Sequence, residues 1–204
     1  LVRAIIDILF RFLARREVVG KENVPDKGPY IIVCNHLSRF DPPLLLTVLP
    51  CRATVLAADK YRKSIFGPLL SSMGAIFIRR GEVDRRALRE CLAVLERGGI
   101  LGVAPEGTRS KTKALQKGRK GVAYLVSRTG VPILPVAVTG TEKIAKAFRR
   151  LKRAEVRVVI GKSFTLPAKS KARGKELEEF TDLIMRRIAE LLPEEYRGVY
   201  KNKR

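Results

Sequence analysis

Histidine occurs once in the 204 residues, as His36, and tryptophan does not occur at all. One imidazole with no second nitrogen or thiolate ligand nearby makes a poor transition-metal site. The cysteines, Cys34, Cys51 and Cys91, show no C-x-x-C or C-x-H spacing, and their odd number fits reduced, buried thiols better than a disulfide framework. Aromatic residues make up only 6%, too few for the stacking blocks of an RNA-binding domain. No apolar run reaches the roughly 18 residues that a spanning helix needs; the longest uncharged stretch, "SIFGPLLSSMGAIFI", is interrupted by glycine and proline. The opening segment "LVRAIIDILFRFLARR" has no small-residue cleavage site of a secretory signal, and the absence of an initiator Met leaves room for upstream residues.

Acidic residues are also scarce. Lys+Arg 42 against Asp+Glu 20 gives a net charge of +22, a field that draws polyanions: nucleic acid, anionic lipid surfaces or phosphorylated substrates. The densest cationic stretch runs from Glu142 to Lys175, readable as a solvated face or as a surface for anionic lipid or an acidic acyl donor. A hydrophobic content of 46% is ordinary for a folded chain, and the length suits a single enzyme-sized unit with a real core.

Short β-type runs alternate with helical ones, which is the pattern of an α/β domain. "YIIVCNH", "ATVLAAD", "AIFIRR", "GILGVAP", "VPILPVAV" and "EVRVVIGK" read as strands, several apolar throughout and so buried on both faces. In "VPILPVAV", Pro132 and Pro135 predict an edge or irregular strand. "VDRRALRECLAVLERGG" is a helix opened by Asp84 and stopped by Gly98 and Gly99, and "ELEEFTDLIMRRIAELLP" is another. In the opening segment Arg3, Asp7 and Arg11 form one polar stripe, with apolar residues around most of the remaining surface and Arg15 and Arg16 at the end. Two readings of it stand level: a helix lying in a membrane interface, or one packed on its own domain.

His36 closes a strand-like run, and Asp41 precedes "PPLLL", where an N-cap aspartate and a proline in the first turn both favour a helix start. A strand end and a helix start joined by "LSRF" can bring imidazole and carboxylate together. In such a dyad the carboxylate fixes the tautomer and stabilises the imidazolium, leaving the other nitrogen to take a proton. No serine or cysteine sits in a G-x-S-x-G elbow, so the proton is expected from a substrate hydroxyl. The plainer alternative is a histidine bonded in a turn and an aspartate that only caps a helix. Cys34 is read as core packing.

Four blocks, in order, resemble the glycerolipid acyltransferases, and within them the bacterial 1-acylglycerol-3-phosphate acyltransferases: "NHLSRFDP" from Asn35, "GAIFIRRG" from Gly74, "PEGTRS" from Pro105 and "VPILPVAV" from Val131. The resemblance spans about residues 17 to 165. It implies a mixed, mostly parallel sheet flanked by helices, with an amphipathic membrane-docking helix over 1–16 and an acyltransferase domain over 17–204. It implies His36 as general base and Asp41 as its partner, acting on a glycerol hydroxyl that attacks an acyl thioester. Glu106, Gly107, Thr108 and Arg109 are implied as the acceptor's phosphate loop, with Ser110 as a further hydroxyl donor; the charge of Glu106 would repel a phosphate, so it is expected to orient Arg109, another cation or local backbone, or to contact the glycerol hydroxyl. Arg79 is implied as a second phosphate ligand and Lys60 as a support for phosphate or thioester oxyanion, although the spacing around Lys60 departs from the family's pattern.

The implied reaction is phosphatidate synthesis. A lysophosphatidate-like acceptor takes a fatty acyl group from acyl-CoA or acyl carrier protein, with no bound cofactor or metal, on the cytoplasmic face of a membrane with an anionic surface. Glycerol 3-phosphate or another lyso-lipid is the rival acceptor. A basic nucleic-acid-binding protein, or a lipid-surface adaptor without catalysis, is the competing class; no nucleic-acid partner is expected.

Overall fold

Short runs rich in Val, Ile, Leu and Ala pair into one seven-stranded sheet: β1 (Ala14–Val19), β2 (Tyr30–Cys34), β3 (Ala53–Ala58), β4 (Ile76–Ile78), β5 (Ile100–Val103), β6 (Ile133–Thr139) and β7 (Ala154–Ile160). This computed structural model describes residues 2–64, 67–72, 74–79, 83–167 and 172–201; Leu1, Arg80 and Gly81 of the stretches discussed above lie outside them. Helices α1 (Val2–Leu13), α2 (Asp41–Val48), α3 (Gly67–Ser72), α4 (Arg85–Glu96), α5 (Gly121–Thr129), α6 (Ile144–Phe148) and α7 (Gly174–Glu190) fall between or beyond the strands.

The strand order is β1-β7-β6-β2-β5-β3-β4. From β6 to β4 every neighbouring pair is parallel, while β7 runs antiparallel to β6 and carries β1 with it. The sheet is therefore mixed and mostly parallel, as expected. Period-two alternation sorts its side chains into two cores. Ile31, Val33, Leu101 and Ile133 face α4, α5 and α7, where Cys91, Leu95, Val122, Leu125, Phe180 and Ile184 close over them. Tyr30, Ile32, Val136, Val138, Val156 and Val158 face the other way, onto Phe10 of α1, Leu44 of α2 and Ile144 of α6.

Sequence reasoning and structure part at three places. "ARREVV" was not foreseen as a strand; half of it is charged, and as β1 it is an outer strand whose outward residues stay in water. "VPILPVAV" is no edge: β6 lies between β2 and β7. Its Pro135 is accommodated because β6 pairs with β7 only from Val136 onward, and the missing N–H falls where β7 has already turned away at Gly161, whose N–H donates to the Pro135 carbonyl at 2.9 Å. The opening helix stops at Leu13, so Ala14 to Arg16 belong to the sheet.

Helix α1 packs on its own domain along one side and leaves apolar side chains exposed on another. Phe10 is buried and meets Phe40 edge-on, with ring centroids 6.5 Å apart, and Arg16 binds Asp7 at 2.7 Å. Ile5, Ile8, Leu9 and Phe12 are exposed, Phe12 to 75%. Among the described residues no helix is long and apolar enough to cross a membrane.

Candidate active site

In the parallel part of the sheet the carboxyl ends of β6, β2, β5, β3 and β4 share one edge. The chain leaving β2 passes to α2 on one face, and the chain leaving the adjacent β5 leads to α5 on the other. Loops departing to opposite faces open a crevice between two strand ends, which is where α/β sheets place ligands. The loop after β2 carries His36 to Asp41; the loop after β5 carries Glu106 to Ser110.

His36 Nδ1 and Asp41 Oδ2 are 2.8 Å apart. The carboxylate is otherwise spoken for: Oδ2 also accepts the backbone N–H groups of Leu37 at 2.7 Å and Ser38 at 2.8 Å, and Oδ1 accepts the Thr141 hydroxyl and, at 3.4 Å, that of Ser38. A carboxylate accepting from this many groups at 2% side-chain exposure is fixed as an anion-shaped acceptor, so Nδ1 of His36 is the donor to it and Nε2 bears the lone pair. The His36 side chain keeps 16% of its surface exposed, enough for a small group to reach it. Asp41 is not the helix cap that was expected. Phe40 occupies the cap, Asp41 is the first helical residue, and its carboxylate turns back onto the preceding loop.

The backbone of His36 is clamped from the neighbouring strands. Asn35, 1% exposed, donates to the Val138 carbonyl and accepts the Val138 N–H, both at 2.8 Å, so its amide joins the end of β2 to β6. Glu106 Oε1 accepts the His36 N–H at 2.8 Å, and the His36 carbonyl accepts the Ser110 N–H at 2.8 Å. Glu106 Oε2 takes the N–H of Gln116 at 3.0 Å. Glu106 thus orients local backbone, and among the described residues it pairs with no cation. Burial pushes its carboxyl up to about 7, against the pull of those two N–H donors.

Gly107 has φ +69°, and a Cβ there would lie 2.7 Å from Cδ of Arg119. The glycine is needed twice, for the left-handed turn and for the arginine that rests against it. Its N–H is used within the turn, donating to Ala104 at 3.0 Å. Ser110 Oγ closes its own loop onto Ala114 at 2.6 Å, which takes it out of the expected donor set. Thr108 is half-buried and Arg109 exposed; among the described residues neither Arg109 nor Arg119 makes an ion pair or side-chain hydrogen bond. Lys60 follows β3 and Arg79 follows β4 on the same edge, both exposed, with the Lys60 ammonium 5.3 Å from the Tyr61 ring. At about 4.8 Å per strand they sit roughly 10 and 14 Å along the edge from His36. They lengthen the cationic strip without touching the dyad.

Thr141 and Arg119 were not foreseen. Thr141 is wholly buried just beyond β6, where Gly140 at φ +84° brings the chain so close to β7 that a Cβ would strike the Glu155 carbonyl. The signal available was a glycine directly after the strand, followed by a hydroxyl; for Arg119 it was the basic run "QKGRKG". Cys34 is packed in the α1 and α2 core, and burial drives its thiol upward, away from the thiolate that a nucleophile needs. Among the described residues no three His, Cys, Asp or Glu side chains converge to hold a metal.

A histidine paired through Nδ1 with a buried carboxylate, on a loop next to the one that carries Arg109 and Arg119, is an arrangement that can accept a proton at its other ring nitrogen. A family model described as Acyltransferase matches residues 15–139. The chain is 33% identical over 127 residues to the 1-acyl-sn-glycerol-3-phosphate acyltransferase of Borreliella burgdorferi, covering 61% of this chain and 51% of that protein. It is 30% identical over 155 residues to the chloroplastic 1-acyl-sn-glycerol-3-phosphate acyltransferase BAT2 of Brassica napus, covering 72% of this chain and 44% of that one. The chain thus spans about half the length of these curated relatives. The crystal structure of the 1-acyl-sn-glycerophosphate acyltransferase PlsC from Thermotoga maritima superposes with a TM-score of 0.73 at 28% identity, over 93% of this chain and 78% of that one. Since the family model covers more than half of the residues and takes in the His36 loop and the Glu106 loop together, the chain belongs to the acyltransferase family.

Proposed function

We propose that the protein transfers a fatty acyl group from a thioester, on coenzyme A or acyl carrier protein, to the free hydroxyl of 1-acylglycerol 3-phosphate, yielding phosphatidate. The observation that carries this reading is the 2.8 Å contact between His36 Nδ1 and Asp41 Oδ2, with Arg109 and Arg119 on the next loop unpaired among the described residues. The relatives' names give the acceptor.

His36 Nε2 takes the proton of the acceptor hydroxyl as its oxygen attacks the thioester carbonyl. Asp41, already anionic and held by backbone donors, stabilises the imidazolium without reorganising. Collapse of the tetrahedral intermediate breaks the carbon–sulfur bond, and the imidazolium returns the proton to the departing thiolate. Hydroxyl and phosphate sit on neighbouring carbons of the acceptor, a spacing on the order of 5 Å, close to that between adjacent strands. With the hydroxyl at His36, the phosphate falls at the loop after β5, where Thr108 and Arg109 receive it on the turn that Gly107 makes. Lys60 and Arg79 extend the cationic field on its far side. Glu106 acts through the His36 backbone and is a positioning residue.

Acceptor and product are amphiphiles, so the enzyme must meet them at a lipid surface. The exposed Ile5, Ile8, Leu9 and Phe12 of α1 support docking from the cytoplasmic side, with the basic surface against anionic headgroups. The test is acyl transfer from radiolabelled acyl-coenzyme A to lysophosphatidate in detergent micelles, wild type against His36→Ala, with glycerol 3-phosphate as competing acceptor. Labelled phosphatidate from wild type alone is the expected result. Product from glycerol 3-phosphate only would reassign the acceptor, and equal product from both proteins would reject the base.

A further inference from the structure

Leucine is poorly suited to position 151 on two counts. Its backbone is left-handed, at φ +53°, and its side chain is 96% exposed. The reason is local. The chain leaves α6 through a Schellman turn, in which the Lys152 N–H donates to the Ala147 carbonyl at 2.9 Å and the Leu151 N–H to the Phe148 carbonyl at 3.0 Å. That motif puts its left-handed residue at position 151, where glycine fits without strain. Leucine there strains the backbone and holds an apolar side chain in water, with Phe148 beside it 61% exposed.

The surroundings say what would cover these side chains. Between residues 143 and 153 the cations are Lys143, Lys146, Arg149, Arg150, Lys152 and Arg153, and no acidic residue intervenes. The turn also lies on the α1 side of the sheet. Ile144 and Ala147 of α6 pack in the same core as Phe10 of α1, and Arg153 Nη2 donates to the Ala14 carbonyl, just past the end of α1, at 2.8 Å.

We infer that the turn from Phe148 to Lys152 is a second membrane-insertion point, at which Phe148 and Leu151 enter the interface of an anionic lipid surface beside α1. Apolar tips ringed by lysine and arginine match a bilayer that offers hydrocarbon below and negative headgroups above. With two separated contacts, α1 and this turn, the protein is held against rolling about the axis of α1, which one helix alone does not achieve. The inference takes from the proposed function only that the protein works at a lipid surface.

Because the chain has no tryptophan, single substitutions report cleanly. Leu151→Trp and, separately, Phe12→Trp on α1 would be titrated with phosphatidylglycerol-containing vesicles and with pure phosphatidylcholine vesicles. The expected result is a blue-shifted, acyl-quencher-accessible emission from both positions on the anionic vesicles, and a much weaker response on the neutral ones. A response at position 12 with none at 151 overturns the second insertion point and leaves α1 docking intact; a response at 151 alone does the reverse. Silence at both overturns both. A shift at 151 that needs no vesicles and grows with protein concentration means self-association and overturns it too. Leu151→Gly supplies the control against misfolding: glycine suits the turn, so thermal stability should hold or rise while partitioning onto anionic vesicles falls by about tenfold. Wild-type partitioning by Leu151→Gly refutes the inference.

Discussion

Glu106 accepts the backbone N–H of His36 at 2.8 Å, so a carboxylate from the loop after β5 holds the main chain of the residue whose ring is held by Asp41. Two buried carboxylates serve one histidine, with different duties. Asp41 fixes the tautomer and Glu106 fixes the position, and each can be removed separately.

Replacing His36 with alanine should lower turnover by about a thousandfold or more, because no other imidazole exists to take the proton. With its ring partly exposed, the fold should survive, leaving the circular dichroism spectrum and the thermal midpoint close to wild type. Single-turnover acyl transfer is the measurement, and activity within tenfold of wild type would remove His36 from the mechanism.

Asp41→Asn keeps the shape and removes the charge that stabilises the imidazolium. A fall in kcat of about a hundredfold to ten-thousandfold is expected, with KM for both substrates little changed. Thr141→Val, which takes away one donor to the same carboxylate, should lower kcat less and in the same pattern, at a stability cost of about 1 kcal/mol. A rise in KM with unchanged kcat in either variant would mean that the carboxylate binds substrate instead.

Burial raises the carboxyl of Glu106 from the ordinary glutamate range to about 7. Between roughly pH 4.5 and 7 the folded state therefore holds a proton that the unfolded chain releases, so this residue's contribution is full at the acid end and is lost as pH rises through about 7. Denaturant unfolding across this range should show wild-type stability falling relative to Glu106→Gln as pH rises. Parallel curves for the two proteins would show that Glu106 does not titrate there.

Arg109→Ala should raise KM for the lysophosphatidate acceptor about tenfold or more and leave KM for the acyl donor nearly unchanged. The opposite split would assign the loop to the donor. Gly107→Ala should do more: the left-handed turn and the collision with Arg119 predict a loss of about 1–3 kcal/mol in urea unfolding together with weaker acceptor binding.

What the sequence discloses depends on how far apart the cooperating residues lie. The His36–Asp41 contact was legible because five residues, a strand end and a proline-started helix bring the pair together locally. The sheet was legible from its apolar runs, except β1, where Arg15, Arg16 and Glu17 hide a strand that satisfies its pairing at the margin of the sheet. Thr141 and Arg119 were not legible. One reaches Asp41 across 100 residues, and the other meets Gly107 through a glycine whose reason is a neighbour invisible in the local pattern. Pro135 misled for a related cause: its tolerance depends on where β7 departs, which no property of β6 itself records.

The parallel strands also fix where the molecule can be altered without harm. Their opposite edge holds the Gly98–Gly99 turn, and Ile100, which opens β5 there, is in register with Tyr30, six residues before His36, or about 20 Å along the sheet. Gly98 keeps its glycine because φ there is +78°, but the exposed Arg97 beside it can be replaced, and no described hydrogen bond of the site passes through this turn. A fluorophore, an affinity handle or a tether to a solid support placed in that turn would leave the crevice free to work, which makes it the natural attachment point for watching the enzyme on a supported bilayer.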